Sequence, residues 1–161
     1  MSKKTRTYFI NMPNINKNDL KVSRVGEYSM TPPKDAKKIC KIIKKYFNKN
    51  IIITDATANN GGNTIAFGLD FKNVNAVEIN KNEYDILLNN INVYELKNII
   101  TYNSDYLNVI DKLEQDVVFI DPPWGGKDYK KEINLQLYLS NKTLFDVFDL
   151  LKNNCKAIIC K

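Results

Sequence analysis

Apolar residues gather in five short β-branched runs, and between most of them the apolar positions recur with helical spacing. Ile51-Ile52-Ile53-Thr54 is the first run and ends at Asp55, as a buried parallel strand would. Val74–Ile79, Ile99-Ile100-Thr101-Tyr102, Val117-Val118-Phe119-Ile120 and Ala157-Ile158-Ile159-Cys160 repeat the pattern. Ahead of the first run, Ala36, Ile39, Cys40, Ile43, Tyr46 and Phe47 predict a helix reaching about Asn48. Thr31-Pro32-Pro33 reads as its start, with Thr31 as N-cap, proline in the first turn and Asp35 near the positive end of the dipole. A short helix is expected through Asn63-Thr64-Ile65-Ala66-Phe67. A second should span Lys81–Tyr94, with Tyr84, Leu87, Leu88 and Ile91 on one face, and a long one about Leu135–Lys152. Residues 1–31 form a polar arm, within which Val25–Met30 reads as a short extended piece.

Strands alternating with helices predict right-handed crossovers and a parallel sheet covered on both faces, an α/β domain over residues 32–161. Ligands of such sheets bind beyond the carboxyl ends of the strands. There the polar and turn-prone residues gather, at 55–64, 78–80, 103–106 and 121–129. The run at 157–160 would be an edge, open to a protein partner.

Composition narrows the chemistry. The chain has 161 residues and no histidine, which excludes Ser-His-Asp hydrolysis, a His-activated cysteine and any His-bearing zinc site. Cys40, Cys155 and Cys160 form no CxxC pair and are too few for a four-ligand metal site, so no metal is expected and the cysteines read as small apolar residues. No apolar run reaches the roughly 20 residues of a membrane-spanning helix, and the first residues resemble no secretory signal. The expectation is an intracellular protein, nuclear or cytoplasmic, with no membrane partner. Lys and Arg number 24 against 18 acidic residues, a net +6, and many of the basic residues precede Lys49, so a polyanion is the favoured partner.

Two segments carry chemistry. The turn Asp55-Ala56-Thr57-Ala58-Asn59-Asn60-Gly61-Gly62-Asn63-Thr64 needs positive φ at one or two positions, which Gly supplies and Asn tolerates. It is not G-x-G-x-x-G, so a nucleoside-type cofactor fits better than a dinucleotide. Glu78, at the end of the second run, is placed to accept ribose hydroxyls, and Asp105 to accept from an adenine amine. The second segment is Asp121-Pro122-Pro123-Trp124. Two prolines stiffen the loop and leave the Asp121 carboxylate and Pro122 carbonyl as paired acceptors for an amino group. Such a pair aims the nitrogen lone pair at an electrophile by positioning, with electrostatic support for the charge that develops. Trp124 is suited to stack on the ring that bears the amine.

The pattern Asp55…Gly61-Gly62-Asn63-Thr64, Glu78, Asn89-Asn90, Tyr94 and Asp105 resembles the S-adenosylmethionine-binding half of class I Rossmann-like methyltransferases. Val117–Trp124 with Gly125-Gly126-Lys127-Asp128-Tyr129 resembles the trimethylguanosine synthase family, which methylates the 2-amino group of the RNA cap guanine. Tyr28-Ser29-Met30-Thr31-Pro32 is similar to that family's segment before its first helix, and the likeness covers about residues 24–160. It implies S-adenosylmethionine around Thr31, Asp55, Thr57, Gly61, Asn63, Thr64, Glu78 and Asp105. It also implies a 7-methylguanosine-capped RNA held by Ser29, Asn90, Pro123 and Trp124, the indole stacking on a cationic ring. Asp121 stands where the eukaryotic enzymes commonly have serine, and Asn59 where glycine is usual. The resembled fold has two further strands after Cys160, so a sheet lacking its last strands is expected. Alternatives are methylation of an amine on another guanine or adenine, and a non-catalytic cap-binding or partner-binding module. Lys127, Lys130 and Lys131 fit either a solvated loop or triphosphate contacts.

Overall fold

A computed structural model describes residues 8–124 and 136–161. Its centre is a five-stranded sheet of β1 (Ile52–Asp55), β2 (Asn73–Val77), β3 (Ile99–Tyr102), β4 (Val117–Ile120) and, at one edge, β7 (Ala157–Cys160). The order is β3-β2-β1-β4-β7 with every pairing parallel. The order reverses beside β1, which makes the crevice over β1 and β4 the place where loops diverge and a ligand can enter.

The helices are α1 (Gly26–Ser29), α2 (Pro33–Tyr46), α3 (Gly62–Asp70), α4 (Lys81–Val93) and α5 (Leu144–Leu151). On one face of the sheet Ala36, Cys40 and Ile43 of α2 and Phe67 of α3 pack on Ile53, Val74, Val117 and Phe119. Phe67 meets Phe119 edge-on at 5.4 Å between centroids, the favoured geometry for two aromatic quadrupoles. On the other face Val118 and Ile120 pack with Tyr106, Val147 and Leu151. Alternate residues of β4 thus serve opposite faces, and all four are buried, as a continuous apolar run in a covered parallel sheet requires.

Several elements differ from the sequence expectation. The segment at 25–30 is not extended: α1 forms there, with Glu27, Ser29 and Met30 amides bonded back to Ser23, Val25 and Gly26 carbonyls. Thr31 does not cap α2; Pro32 is the N-cap, without a side-chain bond, and the Thr31 hydroxyl is spent elsewhere. The long helix expected over 135–152 is shorter. A hairpin of β5 (Tyr138–Leu139) and β6 (Lys142–Thr143) precedes α5. A reciprocal Thr143–Asp146 capping box then starts the helix. Tyr46 is 78% exposed, so its helical spacing does not bring it into the core. Cys160 is exposed as well, whereas Cys40 is buried.

From residue 8 on, the arm contributes to the core. Phe9, Leu20 and Met30 form a buried cluster with Ile65 and Tyr94, and the Tyr94 hydroxyl donates to the Ile10 carbonyl. Residues 8–31 therefore fold onto α3 and α4 as part of the same body. Among the described residues β7 pairs with β4 alone. None of the described helices is long and apolar enough to cross a membrane.

Candidate functional site

The site lies at the carboxyl ends of β1, β2 and β4. After β1 the chain turns tightly, with Asn59 at φ 48° and Gly61 at φ 95°, the two left-handed positions of the loop. Asn tolerates that region through its short polar side chain, and Gly enters it without cost. The backbone is pinned on both sides: the Ala56 amide donates to the Phe119 carbonyl and the Ala58 amide to that of Val77. Both glycines are also closely approached by protein. A Cβ on Gly61 would lie 3.0 Å from Leu87 Cδ1, and one on Gly62 would lie 2.7 Å from Met30 Cγ and 3.0 Å from the Thr31 carbonyl.

Asp55 is wholly buried and accepts from the Thr64 hydroxyl at 2.6 Å and, weakly, from the Thr57 amide at 3.4 Å. Burial pushes its carboxyl up from 3.8 to about 7, against the lowering effect of those two bonds. Glu78 is also buried, and burial raises its pKa. One of its oxygens accepts the Asn59 amide at 2.8 Å and the other the Asn80 amide at 2.8 Å, so it ties the first loop to the start of α4. Asp105 sits three residues past β3 and caps a short turn, accepting from the Leu107 amide at 2.9 Å.

Asp121 follows β4. Its amide donates to the Thr57 hydroxyl at 2.8 Å, so Thr57 ties the loops after β1 and β4 to each other. Its carboxylate accepts from the Lys161 ammonium at 2.7 Å and from the Thr31 hydroxyl at 3.5 Å. Lys161 also donates to Thr31 at 3.0 Å, and the Asn63 amide donates to the same hydroxyl at 3.0 Å. Thr31, Asn63, Asp121 and Lys161 thus form one polar cluster at the mouth of the sheet. Pro122 is buried and Pro123 exposed. Trp124 keeps 37% of its surface accessible and lies just beyond that cluster in the chain, rather than inside the core. The Gly125–Tyr129 continuation and the three lysines at 127, 130 and 131 lie outside the described residues.

Two expected residues have other work. Asn90 is fully buried, with its amide wholly engaged. The oxygen accepts from the Lys21 amide at 2.9 Å and from Asn89 at 3.2 Å, and the nitrogen donates to the Lys21 and Asn60 carbonyls at 2.8 and 2.9 Å. In this structure it anchors the arm and the first loop and presents nothing to a base. Ser29 is exposed at the end of α1, where its hydroxyl donates to the Val25 carbonyl and accepts from Asn59 at 3.0 Å.

Sequence reasoning missed Lys161 and the pair Asn60–Glu83. Lys161 stands beside Asp121 because Ile120 and Cys160 are in register; parallel pairing of the last run with β4 was the signal. Glu83 is buried and accepts from the Ser23 hydroxyl at 2.6 Å and from the Asn60 side chain. No periodicity announces such a contact across 60 positions.

One atom lacks a partner in a way that matters. Asn63 Oδ1 is buried and, among the described residues, accepts no hydrogen bond, an arrangement that costs about 1–3 kcal/mol unless a donor arrives. Glu78 and Asp105 follow the neighbouring strands β2 and β3, so the carboxyl edge of the sheet carries acceptors of the kind that ribose hydroxyls and an exocyclic amine would use. No group of three or more Cys, Asp or Glu among the described residues is placed to hold a metal ion.

The strand order, the parallel pairing and the acidic residues beyond β1, β2 and β3 define a Rossmann-like class I methyltransferase. Precorrin-6y C5,15-methyltransferase from Geobacter metallireducens shares the fold, with a TM-score of 0.64 over 91% of this chain and 70% of that one at 14% identity. Residues 50–160 match the RNA cap guanine-N2 methyltransferase family, and the chain belongs to it. The trimethylguanosine synthase of Schizosaccharomyces pombe is 31% identical over 127 residues, 74% of this chain and 52% of that protein. An uncharacterized protein of Acanthamoeba polyphaga mimivirus is 42% identical over 118 residues, 70% of this chain and 46% of its own length. The chain thus spans about half the length of these relatives.

Proposed function

We propose that this chain binds S-adenosylmethionine at the ends of β1–β3 and transfers its methyl group to the exocyclic 2-amino group of a 7-methylguanosine RNA cap. The observation that carries the reading is the placement of Trp124, an accessible indole directly after the Asp121-Pro122-Pro123 turn, in a chain of the cap guanine-N2 family. A tryptophan face is the best side-chain partner for a flat cation, and 7-methylguanine is one.

The cofactor fits the residues present. Glu78 suits the ribose hydroxyls, Asp105 the adenine amine and Asn63 Oδ1 the ammonium, while Asp55, wholly buried, braces the loop around them through the Thr64 hydroxyl. When bound, S-adenosylmethionine supplies a methyl on a sulfonium that needs no further activation. The chain's own part is to orient and to exclude water. The Asp121 carboxylate would accept a hydrogen bond from the incoming amine in place of the one that it now accepts from the Lys161 ammonium at 2.7 Å, which orients the amine without removing its proton. Thr57 fixes the backbone of Asp121 from the opposite loop at 2.8 Å, so cofactor and substrate loops are set relative to each other before either ligand arrives.

Calorimetric titration of S-adenosylhomocysteine followed by a 7-methylguanosine cap dinucleotide tests both pockets without requiring turnover. Both should bind, and Trp124→Ala should weaken the cap far more than the cofactor analogue. Equal loss of both would make Trp124 structural and end the cap reading. An unmethylated guanine nucleotide binding as tightly as the cap would favour methylation of another base. Binding of both ligands with no transfer of labelled methyl would favour a non-catalytic module.

A further inference from the structure

Helix α2 holds six lysines and one aspartate in 14 residues, a net +5 out of the whole chain's +6. Lys34, Lys38, Lys41 and Lys45 recur at i, i+4, i+7 and i+11. At 3.6 residues per turn this keeps them in one stripe of about 16 Å along the axis. The stripe lies opposite Ala36, Cys40 and Ile43, which are buried on the sheet, and all four lysines are exposed. Lys44, on its flank, pairs with Asp70 at 2.8 Å. Among the described residues none of the four in the stripe has an ion-pair partner, and neither does Lys37.

Such a helix works against itself. Like charges three and four positions apart destabilise a helix by about 0.2–0.5 kcal/mol per pair, and lysines in the first turns oppose the macrodipole. A merely soluble helix would interleave glutamate; here the polar face carries Asp35 alone. Ile42 and Tyr46 flank the stripe, 44% and 78% exposed, and an exposed aromatic beside a basic track is the combination that single-stranded nucleic acid uses, phosphates on the lysines and a base on the ring. The stripe starts three residues after Thr31, whose hydroxyl donates to Asp121 at 3.5 Å. The track therefore begins at the mouth of the site.

We infer that the exposed face of α2 is an RNA-backbone track that holds the nucleotides downstream of the cap, with Tyr46 as a stacking platform. The inference rests on the cap reading for its geometry, since the RNA must leave the pocket beside Thr31 and Asp121. Lys34, Lys38, Lys41 and Lys45 would each neutralise one phosphate, so binding of RNA, unlike binding of the bare cap, should depend steeply on salt.

The test compares the 161-residue chain with a variant carrying Lys34→Gln, Lys38→Gln, Lys41→Gln and Lys45→Gln. Ligands are the cap dinucleotide and a capped and an uncapped oligoribonucleotide of about twelve nucleotides, titrated from about 50 to 200 mM salt. Four phosphates at about 0.7 each predict that the slope of log K against log salt falls by about 3 in the variant for both oligonucleotides. The parent should lose about 50-fold more RNA affinity than the variant across that range. The dinucleotide should bind both proteins alike, and the matching four Lys→Arg changes should restore the slope. RNA affinity and slope equal to the parent's would overturn the inference and leave a solvated face. So would a loss for the dinucleotide as large as that for RNA. A parent that binds the dinucleotide yet gains nothing from attached RNA refutes the track and leaves the cap reading standing. A parent that binds both oligonucleotides with a lysine-dependent slope but ignores the dinucleotide supports the track and refutes the cap reading.

Discussion

Replacing Asp55 by asparagine should flatten the dependence of stability on pH. Asp55 is wholly buried, and burial pushes its carboxyl from 3.8 to about 7. Between these values the folded chain keeps a proton that the unfolded chain has released. The native state binds more protons there, so the stability it derives is full below pH 3.8 and is lost as pH rises through about 7. The interval is about three pH units, and at 1.36 kcal/mol for each the loss is on the order of 4 kcal/mol. In Asp55→Asn the Thr64 hydroxyl, now 2.6 Å from the carboxylate, still finds an acceptor in the amide oxygen, and nothing at this position titrates. The variant should match the parent near pH 4 and exceed it by up to about 4 kcal/mol at pH 8. Urea unfolding followed by circular dichroism from pH 4 to 8 measures the difference. Glu78, raised in the same direction, cancels in the comparison because both proteins carry it. Parallel curves offset by a constant would refute the reasoning. They would mean that Asp55 ionises freely in the folded chain.

Further outcomes follow from the way the arm meets the first loop. Gly62→Ala would set a methyl 2.7 Å from Met30 Cγ and 3.0 Å from the Thr31 carbonyl, and backbone cannot yield as a side chain can. It should cost about 1–3 kcal/mol, read as a lowered thermal midpoint; an unchanged midpoint would show that the arm does not rest on this glycine. Asn90→Ala should cost about 2–4 kcal/mol by orphaning the groups that its amide satisfies, and any loss of cap binding should follow from loosening of the arm. If the variant kept parental stability and lost cap affinity alone, Asn90 would be a base contact and not the anchor described here.

The sequence alone determined the alternation of elements, the strand positions and the acidic residues beyond β1, β2 and β3, because these are local. A β-branched run between turn residues commits to a strand wherever it lies, and polar residues at its carboxyl end must face a crevice in a parallel sheet. That the loop after β1 needs one or two left-handed positions was legible for the same reason; that they fall on Asn59 and Gly61, and not on Asn60 or Gly62, was not. Only the tertiary structure decided where the arm goes. Phe9, Leu20 and Met30 have no periodicity to declare them, yet they are buried against Ile65 and Tyr94. It also reassigned Thr31 from helix cap to the Asp121 cluster, and Asn90 from substrate contact to anchor of Lys21, 69 positions away. The hairpin before α5 displaced the first turns of an expected helix: Ser140 takes a left-handed conformation at φ 53° and turns Leu139 back onto Lys142. Lys161 reaches Asp121, 40 positions back, by the register of β7 on β4. Apart from that local hairpin, hydrogen bonds and packing between distant segments set the outcome, and a pattern read one turn at a time carries no record of them.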